Sequence, residues 1–162
     1  MAHLRAWEGV LSAIHRRPSA RRTNGEKFIV ELIRRQVGQT FSHRISGELY
    51  LNLIANGFYA TKRKAEANGG NYEPTLTAST KGLGDHVEIR IRDNGTGITP
   101  DVKEKMFEPF FTTKPTGEGT GLGLSISHDI IVKQHAGTIE VDTRPGEFTE
   151  IRIVLPRTPA FV

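Results

Sequence analysis

The stretch "HVEIRIRDNGTGI", His86–Ile98, ends a strand in a way that a plain core strand does not need. Side chains alternate faces along a strand. Val87, Ile89 and Ile91 therefore share one face, while Glu88, Arg90 and Arg92 share the other. Asp93 falls in step with the isoleucines. A carboxylate on the core side is costly unless hydrogen-bond donors meet it. Two readings are open. Asp93 either caps the Asp-Asn-Gly turn that follows, or it accepts a hydrogen bond from a ligand, for which the exocyclic amino group of adenine would serve.

Upstream, "ELYLNLIANGFYATKRKAEA" (Glu48–Ala67) reads as one long helix, ended by the "NGG" of Asn68–Gly70. Leu51, Ile54 and Phe58 supply its apolar stripe. Asn52 and Asn56 lie four residues apart on another face, which Tyr59 and Arg63 continue. Asparagine favours caps over helix interiors. Two at this spacing form either a solvated face or a pair of amide oxygens aimed at one target. Such an oxygen suits Mg²⁺, which binds through few protein groups. Between helix and strand, a short strand is expected at Thr75–Ser79, followed by a turn over Lys81–Asp85.

Downstream comes a helical turn at Pro100–Met106 and then "FEPFFTTK", Phe107–Lys114. Three phenylalanines among charges, a proline and two threonines suit a lid closing on a ligand with Lys114 at its phosphates. They suit an edge anchor equally. "GEGTGLGLS", Gly117–Ser125, is no P-loop, because no Gly-Lys-Ser/Thr occurs in the chain. Nor is it a dinucleotide fingerprint, since no strand leads in. Its glycines are either a flexible loop or bare backbone N–H groups opening a helix, a setting that attracts anions. That helix is expected over Leu122–Ala136, closed by Gly137. "TIEVDT" and "FTEIRIVLP" then form a hairpin across Arg144–Glu147.

The chain has 162 residues, of which 36% are hydrophobic and 25% charged, so it reads as globular with one core. It has no cysteine, which excludes disulfides and cysteine metal sites and fits a cytoplasmic setting. No apolar run is long enough to span a bilayer. The net charge of +4 resolves into +6 over residues 1–46 and −2 over the remainder. "RRPSARR" (Arg16–Arg22) is either a basic arm or a solvated lead-in, and no nucleic-acid partner is expected. A short helix is expected near Trp7–Ile14 and an amphipathic one over residues 26–37.

Taken together, "NLIANGFYA" (Asn52–Ala60), "DNGTGI" (Asp93–Ile98), "FEPFFTTK" and "GTGLGLS" (Gly119–Ser125) resemble, in order and spacing, the four boxes of bacterial sensor histidine kinases. These are the ATP-binding catalytic domains of the gyrase, heat-shock chaperone, histidine kinase and mismatch-repair superfamily. The F box looks like the nitrogen-regulation type. The resemblance covers residues 47–157, leaving 1–46 as a basic segment and 158–162 as a tail. It implies an α/β two-layer sandwich of Bergerat type, with a mixed, mostly antiparallel sheet covered on one face by helices. It implies ATP and Mg²⁺ as cofactors, Asn56 as the Mg²⁺ ligand and Asn52 near the phosphates. Asp93 would take the adenine amino group, with Gly95, Gly97 and Ile98 shaping the pocket. Phe110, Phe111, Thr113 and Lys114 would form the lid. Gly119, Thr120, Gly121, Leu122, Gly123 and Leu124 would surround the triphosphate, with Tyr59 beside it.

The family's phospho-acceptor histidine box is missing: His15 and His43 lack its context, and His128 and His135 are expected to be packing or surface residues. The acceptor would sit on a separate dimerisation domain, and a response regulator would follow. Gly57 stands where relatives carry alanine, which would loosen the helix, and Tyr59 where many carry lysine. Asn52 occupies the place of the glutamate that activates water in hydrolysing relatives, so transfer to histidine is favoured over hydrolysis. A nucleotide-binding regulatory module and an anti-sigma-type serine kinase are the alternatives.

Overall fold

Four alternating segments pair into one sheet: β1 (Leu76–Leu83), β2 (His86–Asp93), β3 (Thr138–Arg144) and β4 (Phe148–Pro156). The computed structural model describes residues 47–68 and 72–157. The basic segment 1–46 with its two expected helices, residues 69–71, and the tail 158–162 lie outside the described residues. Strand order is β1-β2-β4-β3, and every described pairing is antiparallel. Two local hairpins thus meet along β2 and β4, where Ile89 stands opposite Ile153, Ile91 opposite Ile151, and Asp93 opposite Thr149.

Helix α1 (Gly47–Asn68) lies across the isoleucine face. It buries Leu49, Tyr50, Leu53 and Ile54 against Leu76, Ile89, Ile91, Ile151 and Ile153. Leu51, expected on the apolar stripe, is instead 37% exposed. The core side of the helix runs through Leu49, Leu53 and Ile54, and residue 51 turns away from it. The helix passes through Gly57 unbroken. A short helix, α2 (Pro100–Lys105), precedes the lid, and α3 (Gly123–Asp129) follows it. Among the described residues no helix is long and apolar enough to cross a membrane.

Two boundaries differ from expectation. Strand β1 runs on through Lys81–Leu83, because a two-residue turn at Gly84 and Asp85 suffices and Leu83 pairs with His86. The helix expected over Leu122–Ala136 is α-helical only to Asp129 and widens to a π-helix over Ile130–Gln134. His135 donates from Nδ1 to the Ile130 carbonyl at 2.8 Å. Ala136 then takes φ 50°, and Gly137 closes onto the sheet by donating to the Ile131 carbonyl at 2.9 Å.

On the outer face Glu88 is buried beneath two guanidinium groups. Arg90 Nε donates to it at 2.8 Å and Arg152 Nε at 2.6 Å. These bonds hold its carboxyl down to about 2. Core burial carries far more of the stability than this solvent-facing ladder does. Ile153→Ala should therefore lower the unfolding free energy by about 2–5 kcal/mol in a denaturant titration. Arg92→Gln, at a side chain 46% exposed, should cost less than about 1 kcal/mol.

Candidate functional site

Asp93 ends β2 at the floor of a cavity of about 570 Å³ enclosed by α1, the ends of β2 and β4, α2 and the lid. This volume lies within the usual range of small-molecule sites. The turn-capping reading of Asp93 holds, and the residue also faces the cavity. Oδ1 accepts from the Gly95 backbone N–H at 2.8 Å, so the turn is capped. Yet Asp93 forms no ion pair among the described residues, and it lines the cavity although only 7% exposed. Burial pushes its carboxyl up to about 6, against the pull of the Gly95 N–H and the charges of Lys64 and Arg92.

The turn that presents Asp93 is tied on every side. Asn94 Oδ1 accepts from the Tyr72 hydroxyl at 2.7 Å and the Thr75 N–H at 2.8 Å. Its Nδ2 donates to the Glu73 carbonyl at 2.9 Å, and Lys64 Nζ donates to the Asn94 carbonyl at 2.9 Å. Gly97 takes φ 63°, and a Cβ there would lie 2.1 Å from the Arg144 carbonyl oxygen, so no other residue fits. Ile98 N–H donates to Thr143 Oγ1 at 2.9 Å. Gly97 and Ile98 lie on the cavity wall. Gly95 sits behind it, where a Cβ would meet Ala60 at 2.6 Å.

Across from Asp93, α1 presents Asn52, Asn56 and Tyr59 to the same cavity. Lys114 reaches back from the lid and donates from Nζ to Asn56 Oδ1 at 2.9 Å. The ammonium also sits 4.6 Å from the Tyr59 ring centroid. Burial lowers its pKa, with Glu118 pulling the other way. Gly123 lies beside Asn52, a Cβ there falling 3.4 Å from Asn52 Cγ. Among the described residues no cluster of three or more His, Cys, Asp or Glu could hold a metal alone. The Asn56 amide oxygen is a hard donor of the kind Mg²⁺ takes alongside a substrate's oxygens, and here it accepts from the Lys114 ammonium.

Of the lid residues, Phe111, Thr113 and Lys114 line the cavity, as do Gly119, Thr120, Gly121 and Leu124. Phe110 does not: it is 74% exposed at φ 67°. Gly121, also at positive φ, lets the returning chain cross the Phe110 backbone, since a Cβ there would fall 2.4 Å from Phe110 C. Leu122 forms the N-cap of α3. Phe107 packs on His128 with ring centroids 5.0 Å apart, so this histidine is a packing residue. Sequence reasoning missed Thr149, buried on the wall opposite Asp93, and Val102 and Met106 of the α2 segment. A signal existed for Thr149, which is in phase with Ile151 and Ile153 on β4.

Residues 40–159 match the family described as histidine kinase-, DNA gyrase B-, and HSP90-like ATPase. The chain belongs to this family. The sensor kinase CckA of Brucella abortus is 55% identical over 73 residues, 45% of this chain and 8% of that protein. The sensor histidine kinase ZraS of Escherichia coli K12 is 39% identical over 109 residues, 67% of this chain and 21% of that protein. This ATPase-family chain therefore spans at most about a fifth of these curated relatives. A solved catalytic domain of the histidine kinase ThkA shares the fold at 24% identity and a TM-score of 0.58, covering 82% of this chain and 90% of that one.

Burial raises the Asp93 carboxyl from the ordinary aspartate range to about 6 in the folded state. The folded state keeps its proton over this window, so it loses stability as pH rises through it. Asp93→Asn removes the charge and keeps an oxygen for Gly95. This variant should melt several degrees above wild type near pH 7.5 and match it near pH 4, by calorimetry at about those two values. Equal melting at both would show a well-solvated carboxylate.

Proposed function

We propose that this chain is the ATP-binding catalytic module of a two-component sensor histidine kinase. It binds ATP with Mg²⁺ and passes the γ-phosphoryl group to a histidine on a dimerisation domain in the same protein or a partner. A response regulator's receiver domain would accept the group next. The observation carrying this reading is Asp93: a buried carboxylate that forms no ion pair among the described residues, in a cavity that also holds two amide side chains and an ammonium.

Adenine's exocyclic amino group donates to Asp93, and the wall of Gly97, Ile98, Met106 and Thr149 surrounds the base. Lys114 and the bare backbone over Gly119–Gly123 face the phosphates, with Thr113, Thr120, Leu124 and Asn52 beside them. Asn56 Oδ1 would be the protein ligand of Mg²⁺, which would offset the phosphate charge. In the transfer, the bond between the γ-phosphorus and the β,γ-bridging oxygen breaks as an imidazole nitrogen bonds to phosphorus. ADP leaves and the imidazole N–H proton passes to solvent. The protein contributes positioning and charge stabilisation. Asn52, a neutral amide, cannot take a proton from water, which favours transfer over hydrolysis. A supply of ATP favours a cytoplasmic setting for the module.

Nucleotide titration of the full chain, with and without Mg²⁺, tests the site. Asp93→Asn should weaken ATP binding by about tenfold or more and erase the preference for adenine over guanine. Asn56→Ala should remove the gain in affinity that Mg²⁺ provides. Unchanged binding in both variants would sink the assignment. For the transfer step, the chain alone should gain no acid-labile phosphate from labelled ATP, and should transfer it to an added sensor-kinase dimerisation domain.

A further inference from the structure

The Lys114 ammonium has an unusual set of hosts. Its near partners are an amide oxygen, Asn56 Oδ1 at 2.9 Å, and the face of Tyr59 at 4.6 Å. Neither carries a charge. Glu118 acts on it only at range and forms no ion pair with it among the described residues. The stem is confined as well. A Cβ on Gly119 would lie 3.0 Å from Lys114 Cδ and 3.1 Å from Thr112 Oγ1, so the returning lid packs closely along the side chain. Arg63 donates to the Tyr59 hydroxyl at 3.2 Å, with its guanidinium 5.9 Å from the ring centroid.

A long lysine stem loses rotamer freedom when it is held, so an ammonium required at one point needs an anchor. A carboxylate anchor would hold it well but would neutralise it and repel phosphate. An aromatic face attracts the cation while leaving its charge available. We infer that Tyr59 is a positioning residue whose ring holds the Lys114 ammonium, and the lid with it, at the phosphate end of the cavity. This rests on the proposed ATP·Mg²⁺ reading in one respect. If a metal takes Asn56 Oδ1, the ammonium loses that partner and the ring becomes its remaining anchor on α1.

Hydrogen exchange of the lid amides, residues 112–121, in the nucleotide-free full chain is the test. Tyr59→Leu should speed lid exchange about three- to tenfold, while β2 and β4 keep wild-type protection. Tyr59→Phe, which keeps the ring and loses the hydroxyl, should behave as wild type. Lys114→Met should speed the lid to a similar extent, and the Tyr59→Leu/Lys114→Met pair should add little more, because both remove one contact. In titrations, Tyr59→Leu should narrow the preference for ATP over ADP by a similar factor, and Tyr59→Phe should retain it. Wild-type lid exchange in Tyr59→Leu would overturn the inference, as would equal acceleration in Tyr59→Phe or loss of protection across the sheet. A wild-type chain that binds no nucleotide would remove the functional reading instead, and the exchange experiment would still decide the role of Tyr59.

Discussion

Ile89, Ile91 and Asp93 of β2 stand opposite Ile153, Ile151 and Thr149 of β4, and a slip of one residue would turn either set to the other face. The core and the cavity floor both depend on that register. Two patterns enforce it from opposite sides of the sheet. On the helix side the isoleucines are fully or nearly fully buried. On the outer side Arg152 reaches diagonally to Glu88 and Arg90 to Glu150, ion pairs that align only in this frame. The outer ladder adds little free energy in solvent. Its role is to make the alternative registers worse. Because the central pair joins strands far apart in sequence, the local hairpins β1–β2 and β3–β4 must meet correctly before the floor exists.

Once the register is set, the apolar columns end in polar groups, Asp93 and Thr149, at the same rung. Burial raises the Asp93 carboxyl pKa and lowers the Lys114 ammonium pKa. In both cases burial disfavours the charged form. These opposite charges line one cavity without forming an ion pair with each other among the described residues. A fold selected for stability alone would pair or replace them. A ligand with a hydrogen-bond donor at one end and anionic oxygens at the other would relieve both penalties on binding. The destabilisation is thus concentrated where binding can offset it.

Much of this was legible in the residues. Strand alternation placed Asp93 on the core face, helical spacing put Asn52, Asn56 and Tyr59 together, and the glycine-rich segment led into a helix. Leu51 was misplaced because a stripe drawn through Leu51, Ile54 and Phe58 ignores Leu49, Tyr50 and Leu53, which the sheet selects. Phe110 was read as a lid residue; at its positive φ, where the returning chain crosses at Gly121, its side chain lies exposed and outside the cavity lining. The π-helical turn before His135 has no counterpart in hydrophobic periodicity. The Lys114–Asn56 bond spans 58 residues, and no local pattern reports such a contact. Thr149 was readable in principle, since a hydroxyl on the core phase of β4 repeats the anomaly of Asp93 on β2.

Gly57 shows how closely fold and site are joined. A glycine within a helix costs about 1 kcal/mol relative to alanine, and this one is buried. A Cβ at this position would fall 2.5 Å from Leu76 Cδ1 and 3.5 Å from the Asp93 carboxylate. The bare backbone therefore lets α1 settle closer to the ends of β1 and β2 than alanine would without a shift of Leu76. Its neighbour Asn56 meets Lys114 of the lid. One turn of helix thus touches the acidic floor through residue 57 and the lid through residue 56. A shift of α1 away from the sheet at Gly57 would also move the seat of the ammonium, so the separation between the Asp93 and Lys114 sides of the cavity depends on packing at a residue that has no side chain.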